Sequence, residues 1–162
     1  MSNKIDFSTA YRISESDHLQ ISRRSGLKTN DILFSNIGTL CNVAKVGNFT
    51  DFSCKNVFIF RPRKKMDSFL FEFLKNEKNK ENFIQLSSGS TQKFISLEFM
   101  RKFQTIMAPT YITEQFHDTY TPLYSEISNL IDQNQLLKEA RDILLPRLMT
   151  GMIDTDDMDI AI

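Results

Sequence analysis

Two short polar stretches carry the residue types best suited to chemistry. The first holds Ser35, Asn36, Gly38 and Thr39; the second holds Ser88, Gly89, Ser90, Thr91, Gln92 and Lys93. Small hydroxyls and amides donate and accept hydrogen bonds, and glycine lets a backbone approach closely. That combination suits phosphates and base edges. Gln92 is the best single candidate for reading a base, because its amide can pair with an adenine edge. Arg61, Arg63, Lys64 and Lys65 add cations that neutralise phosphates. A solvated loop has the same composition, so the two stretches alone leave both readings open.

Catalytic chemistry has little to work with. His18 and His117 are about a hundred residues apart, and neither sits in a cluster with metal-ligand spacing. The chain lacks GxGxxG, GxxxxGK[ST], HExxH and GxSxG. It also lacks the Asn-Pro-Pro-aromatic tetrapeptide that amino-methyltransferases of DNA carry. Cys41 and Cys54 have no redox or metal spacing, and Cys41 reads as a small core residue. No catalytic residue, metal or cofactor is expected. The polar Met1–Thr9 stretch is not a signal peptide, and no apolar run reaches the length of a membrane span, so a reduced, cytoplasmic location is expected.

The elements that must position the polar stretches form an α+β pattern. Asp31–Phe34 reads as a strand, Ser35–Thr39 as a tight connection with Gly38 at positive φ, and Leu40–Val46 as the second arm of a hairpin. Lys55–Arg61 reads as a third strand, ended by Pro62. Asp67 is the expected N-cap of a helix from Ser68 to about Asn76, and 77–86 reads as a more polar helix. Further expectations are a capped turn at Ser14–Gln20, short strands at Gln92–Ser96 and Thr105–Ala108, and a short helix at Leu97–Phe103. The whole is a small, mostly antiparallel sheet domain over 1–110, followed by a long C-terminal coiled-coil helix over 111–150 and an acidic tail over 151–162.

That helix has a sustained heptad. Phe116, Leu123, Leu130, Leu137 and Leu144 lie seven apart at d; Tyr120, Ile127, Asn134, Arg141 and Leu148 lie seven apart at a. A 3.5-residue apolar repeat favours left-handed pairing with another helix, and polar Asn134 and Arg141 in the seam trade tightness for register. An amphipathic helix lying on its own domain is the other reading of this spacing. Thr121-Pro122 predicts a kink between a short helix near 112–119 and the long one, and Pro146 and Gly151 predict its end. Net charge is zero but divided: residues 1–110 carry 17 Lys and Arg against 10 Asp and Glu, and 111–162 carry 3 against 10. A basic domain joined to an acidic helix points to two surfaces with two partners, or to mutual neutralisation.

The string LKTNDILFSNIGTLCNVAKV at 27–46 resembles a core stretch of target-recognition domains from specificity subunits of Type I restriction–modification systems. Lys28, Asp31, Ile32, Leu33, Gly38 and Thr39 match its pattern, while Cys41 or its neighbour replaces a second glycine. NVFIFRP at 56–62, FLFEFLK at 69–75, SGSTQKFIS at 88–96 and MAP at 107–109 follow in the family's order. RDILLPRLMTGMID at 141–154 is similar to the end of the family's long conserved helix. The resemblance implies a non-catalytic chain that recognises double-stranded DNA and directs methylation and cleavage by modification and restriction subunits. It also implies pairing of the long helix, with a second copy, with another half-subunit or with the modification subunits, and by analogy an antiparallel pair of two copies; because Asn134 lies near the middle of the helix, such a pair brings its two copies close. Family domains have further strands before the stretch matched by Ile13–Asp17. A truncated regulatory remnant that binds only protein partners through its helix is the alternative.

Overall fold

The computed structural model describes residues 5–7, 9–89 and 92–153. The chain divides into two compact units, Met1–Thr119 and Tyr120–Ile162. The first is an α+β unit built on a three-stranded antiparallel sheet. Strand β1 (Ile32–Ser35) is central, flanked by β2 (Val43–Lys45) and β3 (Val57–Phe60). In its register Ile32 faces Lys45 and Phe60, and Ser35 faces Val57. β1 is buried on both faces, with Ile32, Leu33 and Phe34 at most 6% exposed. Its run of three apolar residues, rather than an alternating pattern, follows from that position.

The abundance of phenylalanine has a packing explanation. Phe34 stacks on its cross-strand partner Phe58 and meets Phe60 and Phe83 edge-on. Phe83 carries the contact on to Phe103, which also touches Phe73 and Phe99. Aromatic pairs of this kind add roughly 0.5–1.5 kcal/mol each beyond their burial, so one connected series of rings ties the sheet to the helices.

Helix α1 (Glu15–Ser25) is longer than the single turn expected; the Ser14 hydroxyl accepts from the Asp17 N–H, and Gly26 closes it. Helix α2 (Asp67–Lys75) starts one residue earlier than expected, because Asp67 is not its cap. The N-cap is Met66 without a side-chain bond, and the Asp67 carboxylate is buried on Lys45 instead, at 2.6 Å. Helix α3 (Glu77–Gln85) is capped by Asn76, and α4 (Leu97–Lys102) by Ser96. Two expected strands do not form. Residues 92–96 contribute only isolated bridges through Phe94, and 105–108 take no regular structure. Thr105–Ala108 runs directly into Pro109 and the next helix, with Ile106 95% exposed and no strand beside it.

Helix α5 (Thr110–Met149) runs without a break through Pro122 and Pro146. The expected division near Thr121 is therefore absent. A proline inside a helix deprives the carbonyl four residues back of its donor, here that of Asp118, yet the neighbouring turns hold. At about 1.5 Å per residue α5 is roughly 60 Å long. It ends as expected at Gly151, which has φ +68: Met152 N–H reaches the Arg147 carbonyl and Gly151 N–H the Leu148 carbonyl. The start of α5 belongs to the sheet unit. There His117 Nδ1 lies 3.0 Å from Asp67 and Lys65 Nζ 2.8 Å from Asp118. The acidic residues beyond Ile153 lie outside the described residues. No helix among the described residues is long and apolar enough to cross a membrane.

Candidate nucleic-acid interface

The two polar stretches meet at one end of the sheet. β1 leads into the first at Ser35, and the second lies between α3 and α4. They are joined at residues 36–37 and 94–95: Ile37 bridges Phe94, Ile95 N–H donates to the Asn36 carbonyl at 2.9 Å, and the Asn36 amide reaches the Ile95 carbonyl at 3.4 Å. The second stretch closes on itself through a reciprocal pair between Ser88 and Phe94, at 2.9 and 2.8 Å. Gly89, at φ +102, permits this closure; a Cβ there would stand 2.2 Å from the Gln92 carbonyl oxygen.

Their side chains divide into builders and presenters. The Ser35 hydroxyl donates to the Thr39 carbonyl and accepts from the Asn42 N–H. It shapes the turn and is not free for a ligand. Asn36 is half-buried at the joint, and its Oδ1 is buried without a hydrogen-bond partner among the described residues. Gly38, Thr39, Ser88, Gly89, Gln92 and Lys93 are exposed. Gly38 has φ +76 and open space in front of it. Ser90 and Thr91 lie outside the described residues.

The basic run does not join this face. Because β3 runs antiparallel to β1, Arg61–Lys65 leave the sheet at the Asp31 end, a four-residue strand away, or roughly 13 Å. Arg61 is committed to structure: its guanidinium grips the buried Asp31 carboxylate at 2.9 and 2.7 Å and the Gly26 carbonyl at 2.8 Å. The hydrogen bond to Asp31 raises the Arg61 pKa further. Lys65 is paired with Asp118, whereas Arg63 and Lys64 are exposed. In their place the same antiparallel pairing brings exposed Lys55 and Asn56 to the loop end; Asn56, at φ +61, accepts from the Asn36 N–H. Nearly twenty residues separate them from Ser35, so only the β1–β3 register reveals their position.

Over 70 residues, 43% of this chain, the sequence is 30% identical to the Type I restriction enzyme MjaIX specificity subunit of Methanocaldococcus jannaschii. The matched part is 16% of that subunit's length. No family model matches the chain.

Other features of the unit offer less chemistry. No group of three or more His, Cys, Asp and Glu gathers to hold a metal among the described residues. Burial pushes the Cys41 thiol up to about 11, with Lys80 opposing, so it is a poor nucleophile. A cavity of about 390 Å³ between α2 and the start of α5 is lined chiefly by Phe69, Phe73, Ile112 and Phe116 and is apolar. Along α5, seam residues Phe116, Leu123, Ile127, Leu130, Leu137, Leu144 and Leu148 are each at least 38% exposed.

Proposed function

We propose that this chain is a sequence-specific double-stranded DNA-recognition module, a specificity subunit or half-subunit of a Type I restriction–modification complex. One observation carries the reading: the two hydroxyl- and amide-bearing loops are hydrogen-bonded into a single exposed face. The partial similarity to a specificity subunit supports it. Thr39, Ser88, Gln92 and Lys93 are the residues that meet DNA, with Gln92 reading a base edge and Lys55 and Lys93 on phosphates. Gly38 and Gly89 admit the DNA backbone and shape the loops, while Ser35 and Asn36 hold the face together. The chain is non-catalytic; modification and restriction subunits methylate and cleave where it binds, in the cytoplasm.

The second half of the reading is pairing through α5, the remedy for a long exposed apolar stripe. An antiparallel coiled coil of two copies closes on itself when residue numbers across the seam sum to 264. Phe116 then faces Leu148, Tyr120 faces Leu144, Leu123 faces Arg141, Ile127 faces Leu137, and Leu130 faces Asn134. All ten seam residues are used, and the two Asn134 amides occupy adjacent layers. Arg141 lays its stem over Leu123 and keeps its head in water. Two copies so paired recognise a target with two-fold symmetry.

Selection from a randomised duplex pool tests the reading. Enrichment of a defined sequence is the expected outcome. Recovery of the pool unchanged, with binding that only follows salt, contradicts it.

A further inference from the structure

The Asp31 end of the sheet gathers a second set of cations, apart from Lys55 and Lys93 of the loop face. Asp31 is the knot there: its carboxylate accepts from Arg61 and from the Lys28 N–H at 2.8 Å, and Arg61 in turn reaches Gly26 just beyond α1. Arg23 and Arg24 occupy the last turn of α1, within three residues of Gly26. Lys28 is on the Asp31 turn itself, and Arg63 and Lys64 follow Arg61. Each of these five is within about three residues, or roughly 10 Å of chain, of the knot. All five are exposed, and none joins an ion pair among the described residues. Of the nearby acidic groups, Asp31 is taken up by Arg61 and Asp67 by Lys45 and His117, while Glu15 and Asp17 lie in the first turn of α1, at its other end from Arg23 and Arg24.

We infer that Arg23, Arg24, Lys28, Arg63 and Lys64 form a phosphate-binding patch that grips duplex DNA without regard to sequence, at the opposite end of the sheet from the loop face. It extends the proposed function but does not depend on sequence reading. The spacing supports a duplex occupant. Roughly 13 Å of strand separates the two ends, less than the width of a duplex, so the loops at a groove and the patch on a flanking backbone fit one DNA molecule. Two of the five cations come from α1 and one from the turn after it.

The test measures binding of the full chain to one mixed-sequence duplex across a salt series, by fluorescence anisotropy. Each phosphate neutralised contributes about 0.9 to the slope of log K against log salt. Replacing Arg23, Arg24 and Arg63 together with glutamine should lower the slope by roughly 2–3 and weaken binding equally on unrelated sequences. Lysine at the same three positions should restore the slope. An unchanged slope in the glutamine variant overturns the inference, as does a lysine variant that stays as weak as the glutamine one. Because the duplex is arbitrary, loss of the slope concerns the patch alone. Failure of sequence selection with an intact slope concerns the loop face alone.

Discussion

Removing the Asp31 carboxylate should destabilise the sheet unit by about 2–3 kcal/mol. Asp31 is 1% exposed and accepts three hydrogen bonds, two from Arg61 and one from the Lys28 N–H. Deleting one member of a fully buried ion pair costs roughly 3–5 kcal/mol. The Arg61 side chain is 49% exposed, so water rehydrates it and the cost falls to about 1–2 kcal/mol. The Lys28 N–H loses its acceptor for about 1 kcal/mol more. Asp31→Asn keeps an acceptor for that N–H and should cost about half as much as Asp31→Ala. Urea unfolding followed by circular dichroism reads both variants, the midpoint shifting with the m-value unchanged. A loss below about 0.5 kcal/mol for Asp31→Ala, the range of ordinary surface substitutions, would show that the Arg61–Asp31–Gly26 junction does not hold the sheet end.

Three further outcomes follow from the geometry. Gly89→Ala should abolish sequence preference and lower the urea midpoint, because the new Cβ meets the Gln92 carbonyl at a backbone angle that side chains rarely adopt; Gly38→Asn, with open space and a residue that tolerates positive φ, should be mild. Burial raises the Asp67 carboxyl, but the Lys45 hydrogen bond and the charges of Lys45 and His117 outweigh it and hold it below 3.8. Its folded value is below its unfolded one, so its stabilisation is full above about pH 4 and is lost as pH falls through the folded value. Asp67→Asn should flatten acid unfolding there, and an unchanged pH profile would contradict it. Sedimentation equilibrium should find a dimer, and Leu130→Asp with Leu137→Asp should yield a monomer whose sheet unit still unfolds cooperatively; a wild-type monomer at tens of micromolar would reject self-pairing.

The hairpin, Gly38 at positive φ, the Ser14 cap and the stop at Gly151 were legible because local rules decide them. The misplaced elements were those that tertiary contacts decide. Asp67 has the type of an N-cap but is drawn inward by Lys45 and His117. Residues 105–108 have strand composition but no strand beside them. Pro122 was read as the start of a second helix, whereas α5 carries helix through it. In the first loop, where Cys41 or its neighbour replaces the second glycine of the resembled pattern, Cys41 has φ +62, the backbone region that glycine favours. At the candidate site, the residue types of the loops were readable and their juxtaposition was not. It depends on the pairing of Asn36–Ile37 with Phe94–Ile95, across nearly sixty residues. The basic run was misplaced for a related reason: closeness in sequence does not say which end of a strand a segment leaves from.

If the joined loops read sequence, the specificity ratio shows it. The full chain is titrated, at one physiological salt concentration, with a duplex carrying the pool-selected sequence and with the same duplex scrambled. Specific recognition predicts a ratio of about 10³ or more, falling by at least roughly tenfold in Gln92→Ala, as expected for one bidentate base contact. A ratio near one, or a large ratio untouched by Gln92→Ala and Gly89→Ala together, would contradict the claim.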